Sequence, residues 1–112
     1  MANYQNITPV RLGQAAMTTG YTTLYTTPVN SRTYVKQFDI ANVDGTTVSL
    51  YVHLVPTGGS PTTANALMYN LPLAATSVLQ WTGVEVMNAG DTIQIKASSA
   101  LCTITASGGE AV

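Results

Sequence analysis

Few side chains in this 112-residue chain are able to do chemistry: one histidine, His53, one cysteine, Cys102, and five carboxylates. A histidine with its ordinary pKa near 6.5 suits a general base, but it needs a nucleophile or an oriented acid within hydrogen-bond reach. The nearest company the sequence offers is Ser49 and Tyr51 on the same side of an extended segment, with Asp39 on a neighbouring one. Sheet surfaces gather such residues without catalysis, so no catalytic residue is assigned. Metal chemistry fares no better. The spacings His-x-His and Cys-x-x-Cys are missing, as is the Asp-x-Asp-x-Asp-Gly run of a calcium loop. Gly58-Gly59 lacks the lysine and helix start of a phosphate loop. Cys102 lies in a β-branched run and reads as a small buried hydrophobe. The expectation is therefore a chain without metal or cofactor and without enzymatic activity.

The remaining chemistry is that of contact. Six tyrosines are present, and exposed tyrosine supplies contact area at low entropic cost. Tyr4, Tyr51 and His53 are the candidate partner-interface residues, with Tyr21, Tyr25 and Tyr69 in similar Thr-rich company. Trp81 shares a strand face with Leu79 and is expected in the core.

What must position these residues is a β structure. In Val48-Ser49-Leu50-Tyr51-Val52-His53-Leu54-Val55 the apolar positions 48, 50, 52 and 54 share one face; Ser49, Tyr51 and His53 share the other. That period of two marks an antiparallel strand with one face in the core and one outward. Similar runs predict strands near 9–17, 22–27, 33–42, 46–55, 67–73, 77–82, 91–98 and 101–106. About eight short strands separated by Gly, Pro, Asn and Asp indicate an all-β, antiparallel, jelly-roll-like sandwich. Residues 9–106 form the domain, with a flexible arm at 1–8 and a flexible tail at 107–112.

Two hairpins are expected. One sets Phe38 and Ile40 opposite Leu50 and Val48 across Val43-Asp44-Gly45, which places Lys36 on the inward face. The other joins the Ile93/Ile95/Ala97 strand to the Cys102/Ile104/Ala106 strand through Ser98-Ser99-Ala100. Pro56–Thr63 should project as a polar loop, and 83–91 should hold a helical turn.

Composition narrows the partners. Charged residues are 8% of the chain, against about 25% in an average soluble domain, and the net charge is −1. No basic stripe exists to drive nucleic-acid binding, and no polybasic patch or long apolar run points to a membrane. No signal peptide is seen at Met1-Ala2-Asn3-Tyr4-Gln5, and the lone cysteine fits synthesis in a reducing cytoplasm. A surface this poor in charge suits packing against other proteins.

An ordered series of short segments carries a resemblance. Ile7-Thr8-Pro9-Val10-Arg11-Leu12, Leu24-Tyr25-Thr26-Thr27-Pro28, Val52-His53-Leu54-Val55-Pro56, Ala64-Asn65-Ala66-Leu67 and Ala89-Gly90-Asp91-Thr92-Ile93 follow one another. In that order the chain resembles small all-β virion structural proteins of tailed bacteriophages. The resemblance implies a non-enzymatic virion component made in the bacterial host cytoplasm. A capsid decoration (cement) protein that binds the major capsid protein as a dimer or trimer is the leading expectation. A tail, neck or fibre-attachment component is the alternative, and a carbohydrate-binding module built on Tyr51, His53 and the 56–63 loop is a third.

Overall fold

The computed structural model describes residues 6–112, which leaves Tyr4 outside the described residues. Eight strands run in order: β1 (Ile7–Ala16), β2 (Thr22–Thr26), β3 (Arg32–Asn42), β4 (Val48–Val55), β5 (Ala66–Leu73), β6 (Val78–Met87), β7 (Thr92–Ala97) and β8 (Cys102–Ala111). A single 3-10 turn, Thr63–Asn65, precedes β5. The strands make two four-stranded antiparallel sheets, ordered β1-β8-β3-β6 and β2-β7-β4-β5. That order is the double Greek key of a jelly roll.

The inward sets meet between the sheets. Phe38, Ile40, Ile104, Ala106 and Cys102 of the first sheet face Val48, Leu50, Val52, Ile93, Ile95 and Ala97 of the second, all fully or almost fully buried. Each large aliphatic side chain so enclosed contributes about 1.5–3 kcal/mol relative to exposure. Trp81 and Leu79, on the edge strand β6, pack half-buried against this core, with the Trp81 ring 5.6 Å from Phe38. Burial together with the Asp44 carboxylate pushes the Cys102 thiol above its ordinary pKa, so it stays a neutral thiol.

Both expected hairpins are corrected. β3 pairs with β8 and β6, whereas β4 pairs with β5 and β7, so Phe38 and Leu50 meet face to face between the sheets and not side by side. β7 and β8 likewise lie in different sheets. An inward apolar face suits either arrangement; what separates them is the connection. Between β3 and β4 the chain turns a corner around buried Asn42. Its Nδ2 lies 3.0 Å from both the Thr46 and the Leu73 carbonyl oxygens and 3.1 Å from that of Ala74, and its Oδ1 accepts the Asp44 N–H at 2.9 Å.

The sheets differ in length. Strands of 10, 11, 10 and 10 residues build the first, strands of 5, 6, 8 and 8 the second, so the first overhangs. A line of bulges crosses the first sheet where the overhang begins. The register slips between Arg11 and Gly13 on β1, and between Val35 and Gln37 on β3 against both its neighbours. Bulges bend a sheet and shift the side-chain phase. This explains Lys36, which is exposed and not inward: as the extra residue it lets Val35 and Phe38 both face the core.

Two terminal expectations change as well. Residues 107–111 are strand, not tail; they pair with 7–11 of β1 and 32–37 of β3. Ile7 and Thr8 belong to β1. Residues 83–87 continue β6, and the helical turn expected there is absent.

Beneath the overhang, the Tyr25 hydroxyl donates to the Glu110 carboxylate and accepts from Thr33 Oγ1 at 2.7 Å. Burial first, then the bond to Glu110, pushes the Tyr25 pKa up to about 12 from its ordinary 10.0. The folded state therefore holds this proton after the unfolded chain has lost it. The resulting stability is complete below pH 10 and disappears as pH rises towards 12. Alkaline unfolding monitored by circular dichroism should show this loss, and Tyr25→Phe should flatten it.

Candidate functional site

The outer face of the second sheet gathers the candidate residues. Tyr51 on β4 stands opposite Lys96 on β7, and both point away from the core. The Lys96 ammonium lies 4.4 Å from the Tyr51 ring centre and 4.8 Å from that of Tyr21, within cation–π range. Tyr69 crosses Tyr51 edge-on at 5.3 Å and His53 at 6.2 Å. Its placement follows from a register slip: β5 spends one extra residue between Leu71 and Met68 against Leu50 and Val52, with Asn70 at φ 49°. The left-handed conformation is one that asparagine tolerates. The Tyr51 hydroxyl donates to Asn70 Oδ1 at 3.2 Å.

His53 is where the expectation fails. It points to the outer side, as the period of two requires, yet it is 0% exposed. Tyr21 closes over it edge-on at 5.1 Å, and the turn at 62–65 closes from the other side. The hydrogen bonds fix its tautomer. Asn65 Oδ1 accepts the Thr62 N–H at 3.0 Å while Asn65 Nδ2 donates to the Ser60 carbonyl at 2.9 Å, so the amide orientation is determined. The His53 nitrogen 2.8 Å from that Oδ1 is Nδ1, which must donate. Nε2 is then the acceptor for the Tyr21 hydroxyl at 3.0 Å. Burial and the neighbouring phenols of Tyr69 and Tyr51 push the Tyr21 pKa up, which keeps that donor protonated.

Both ring nitrogens are therefore committed, Nε2 to the Tyr21 phenol and Nδ1 to the Asn65 amide. The arrangement is a structural pin that fastens the 62–65 turn and Tyr21 onto β4. Among the described residues no group of three His, Cys, Asp or Glu side chains could hold a metal, and no helix is long and apolar enough to cross a membrane. The face presents phenol rings, of which Tyr69 (55%) and Tyr21 (38%) are the more exposed. Tyr51 is half-buried among its neighbours. The 56–60 loop is exposed as expected, but anchored: the Thr57 N–H and hydroxyl reach Asp91 Oδ1 at 3.0 and 3.2 Å.

Sequence reasoning missed Lys96, Asn65 and the enclosing role of Tyr21. Lys96 falls outward by simple alternation with Ile95 and Ala97, but its meeting with Tyr51 depends on the β4–β7 register, which no local pattern carries.

A second surface lies on the outer side of the overhang. Ile7, Pro9, Tyr34, Lys36 and Val84 surround a groove of about 410 Å³ whose floor is Gly108 and Gly109. Two glycines in the middle strand leave nothing to fill the space between β1 and β3.

The fold is a single eight-stranded jelly-roll sandwich, an architecture shared by viral capsid, lectin and cupin domains. No protein-family model matches the chain, and no curated protein matches its sequence. Two solved structures share the fold over 98% of this chain. The protein of the T13 particle of infectious bursal disease virus does so at TM-score 0.50 and 12% identity. That of the Gx strain of the same virus does so at TM-score 0.51 and 13% identity. At these identities the likeness is one of fold. The chain spans about a third of their length, 31% and 32% respectively.

Proposed function

We propose that this chain is a non-enzymatic virion structural protein, and that it serves as a capsid decoration (cement) protein of a bacteriophage. The observation that carries the reading is the jelly-roll fold, which over 98% of the chain is similar to that seen in structures of a viral particle and of a virus. The surface supports it. Charge is sparse, the single histidine is spent on structure, and the exposed chemistry is phenol rings and aliphatic groups suited to protein contact. A small clip that binds the assembled shell better than its free subunits stabilises the shell by mass action. Tyr51 and Tyr69 are the contact residues on the second sheet, with the major capsid protein as partner; Tyr4 remains a contact candidate on the sequence reading.

A tail, neck or fibre-attachment position is the second reading, favoured by the elongated shape, 49 × 25 × 18 Å. Glycan binding through His53 loses its basis, since that ring is enclosed. Counting the chain in purified particles separates the first two. Copies on the order of the major capsid protein's support decoration, and a handful per particle decides for the tail or neck.

A further inference from the structure

We infer that β6 is the strand through which two copies of this chain join, edge to edge, into one continuous eight-stranded sheet. The inference is independent of where on a particle the protein sits. A sandwich of two open sheets has four edge strands, here β1, β6, β2 and β5. Soluble proteins blunt such edges with proline, charge, shortness or bulges. Three of the four are blunted. β1 carries Pro9 and Arg11; β2 is five residues long with a register slip between Thr23 and Tyr25; β5 carries Pro72 and the left-handed Asn70.

β6 has the fewest of these devices: it carries a register slip against β3 between Thr82 and Glu85, but its side chains stay in phase across it. It is ten residues long, contains no proline or lysine, and its one charged guard is Glu85, half-buried on the inward side where it lines a cavity with Leu54 and Leu67. Its side chains alternate without a break: 78, 80, 82, 84 and 86 outward, with Val78, Val84 and Val86 exposed by 69, 57 and 53%. Among the described residues its ladder runs only to β3, and no turn or loop backbone bonds its other edge. An unpaired row of N–H and C=O groups beside exposed valines is a template for another strand.

The occupant that fits is a second β6, because the sequence is self-complementary. In a two-fold pair centred on Thr82, Val78 opposes the partner's Val86, Gln80 opposes the partner's Val84, and Thr82 opposes its own copy. Outward residues then meet outward ones, and Glu85 faces the partner's Leu79 instead of a like charge. Aliphatic and Thr–Thr pairs of this kind are favourable cross-strand neighbours, and a closed two-fold contact leaves no further free β6 edge. The apolar groove formed by Ile7, Pro9, Tyr34 and Val84 would continue across the joint.

Disulfide trapping tests the register. Thr82→Cys places two thiols directly opposite at the axis, within the Cα separation a disulfide spans, whereas Gln80→Cys places them several residues apart. Cys102 is buried and does not compete. At about 50 µM protein, native mass spectrometry should show a dimer. Oxidation should cross-link Thr82→Cys and leave Gln80→Cys uncoupled. Thr82→Lys, an exposed change that leaves the fold intact, should weaken the dimer by about tenfold through facing lysines. A monomer at that concentration overturns the inference and leaves the edge for a strand of a different protein. A dimer that cross-links equally at both positions, or is unaffected by Thr82→Lys, also overturns it.

Discussion

Gly108→Ala is expected to be the most damaging single methyl that can be added to this protein. An added Cβ would sit 1.9 Å from the Tyr34 carbonyl oxygen and 3.2 Å from the Val35 Cα, both backbone atoms of the adjacent β3. No rotamer relieves such a contact, so the β3–β8 ladder must open beside the bulge at Lys36. Overpacking of this kind costs about 3 kcal/mol, the upper end of its usual range, and should lower Tm by roughly 10 °C or more. Gly109→Ala is the control. Its added methyl would meet the Ile7 side chain at 3.1 Å, which can rotate away. Thermal unfolding of the two variants thus reads the pairing of β8 directly. Equal, negligible effects would mean that 107–111 is a tail after all.

Asn42→Asp should come second. The substitution keeps the shape and removes only the donors, so that a carboxylate faces the carbonyl oxygens of Thr46, Leu73 and Ala74 in a buried corner. An unsatisfied buried acceptor costs about 1–3 kcal/mol, and an unpaired charge more. A loss of about 3 kcal/mol at neutral pH is therefore expected in denaturant unfolding, with part of it recovered on acidification as the carboxyl protonates. A variant of unchanged stability would show that the β3–β4 corner is not held by this side chain.

These two positions also mark the boundary of what the sequence disclosed. Every predicted strand exists, and the inward sets 38/40, 48/50/52/54, 93/95/97 and 102/104/106 are buried except for Leu54, which is half-buried. Alternation is a local property, and local chemistry reports it faithfully. Partnership is not local. In a jelly roll nearly every connection changes sheet, and β4–β5 is the one pair of consecutive strands that are neighbours. A short polar link reads as a hairpin unless the buried amide at its start is recognised as a corner pin, and Asn42 was the available clue.

The candidate site failed in a related way. The face of His53 was legible from its own strand, but its exposure was set by Tyr21 and Asn65, which are 32 and 12 residues away. Residues 107–111 misled for a different reason: Ser-Gly-Gly resembles a mobile tail, yet at Gly108 the backbone of β3 approaches too closely for a side chain.

The same features bear on function. A core closed by two unlike sheets, a histidine used as a pin, and an outer surface of phenols and valines are the features on which the proposed virion role rests. The most direct test of that account is the amount of this chain in particles purified by density gradient, measured by mass spectrometry against the major capsid protein. A decoration protein should be present at a fixed stoichiometry, with copies on the order of the capsid subunit's. Absence from purified particles would contradict it.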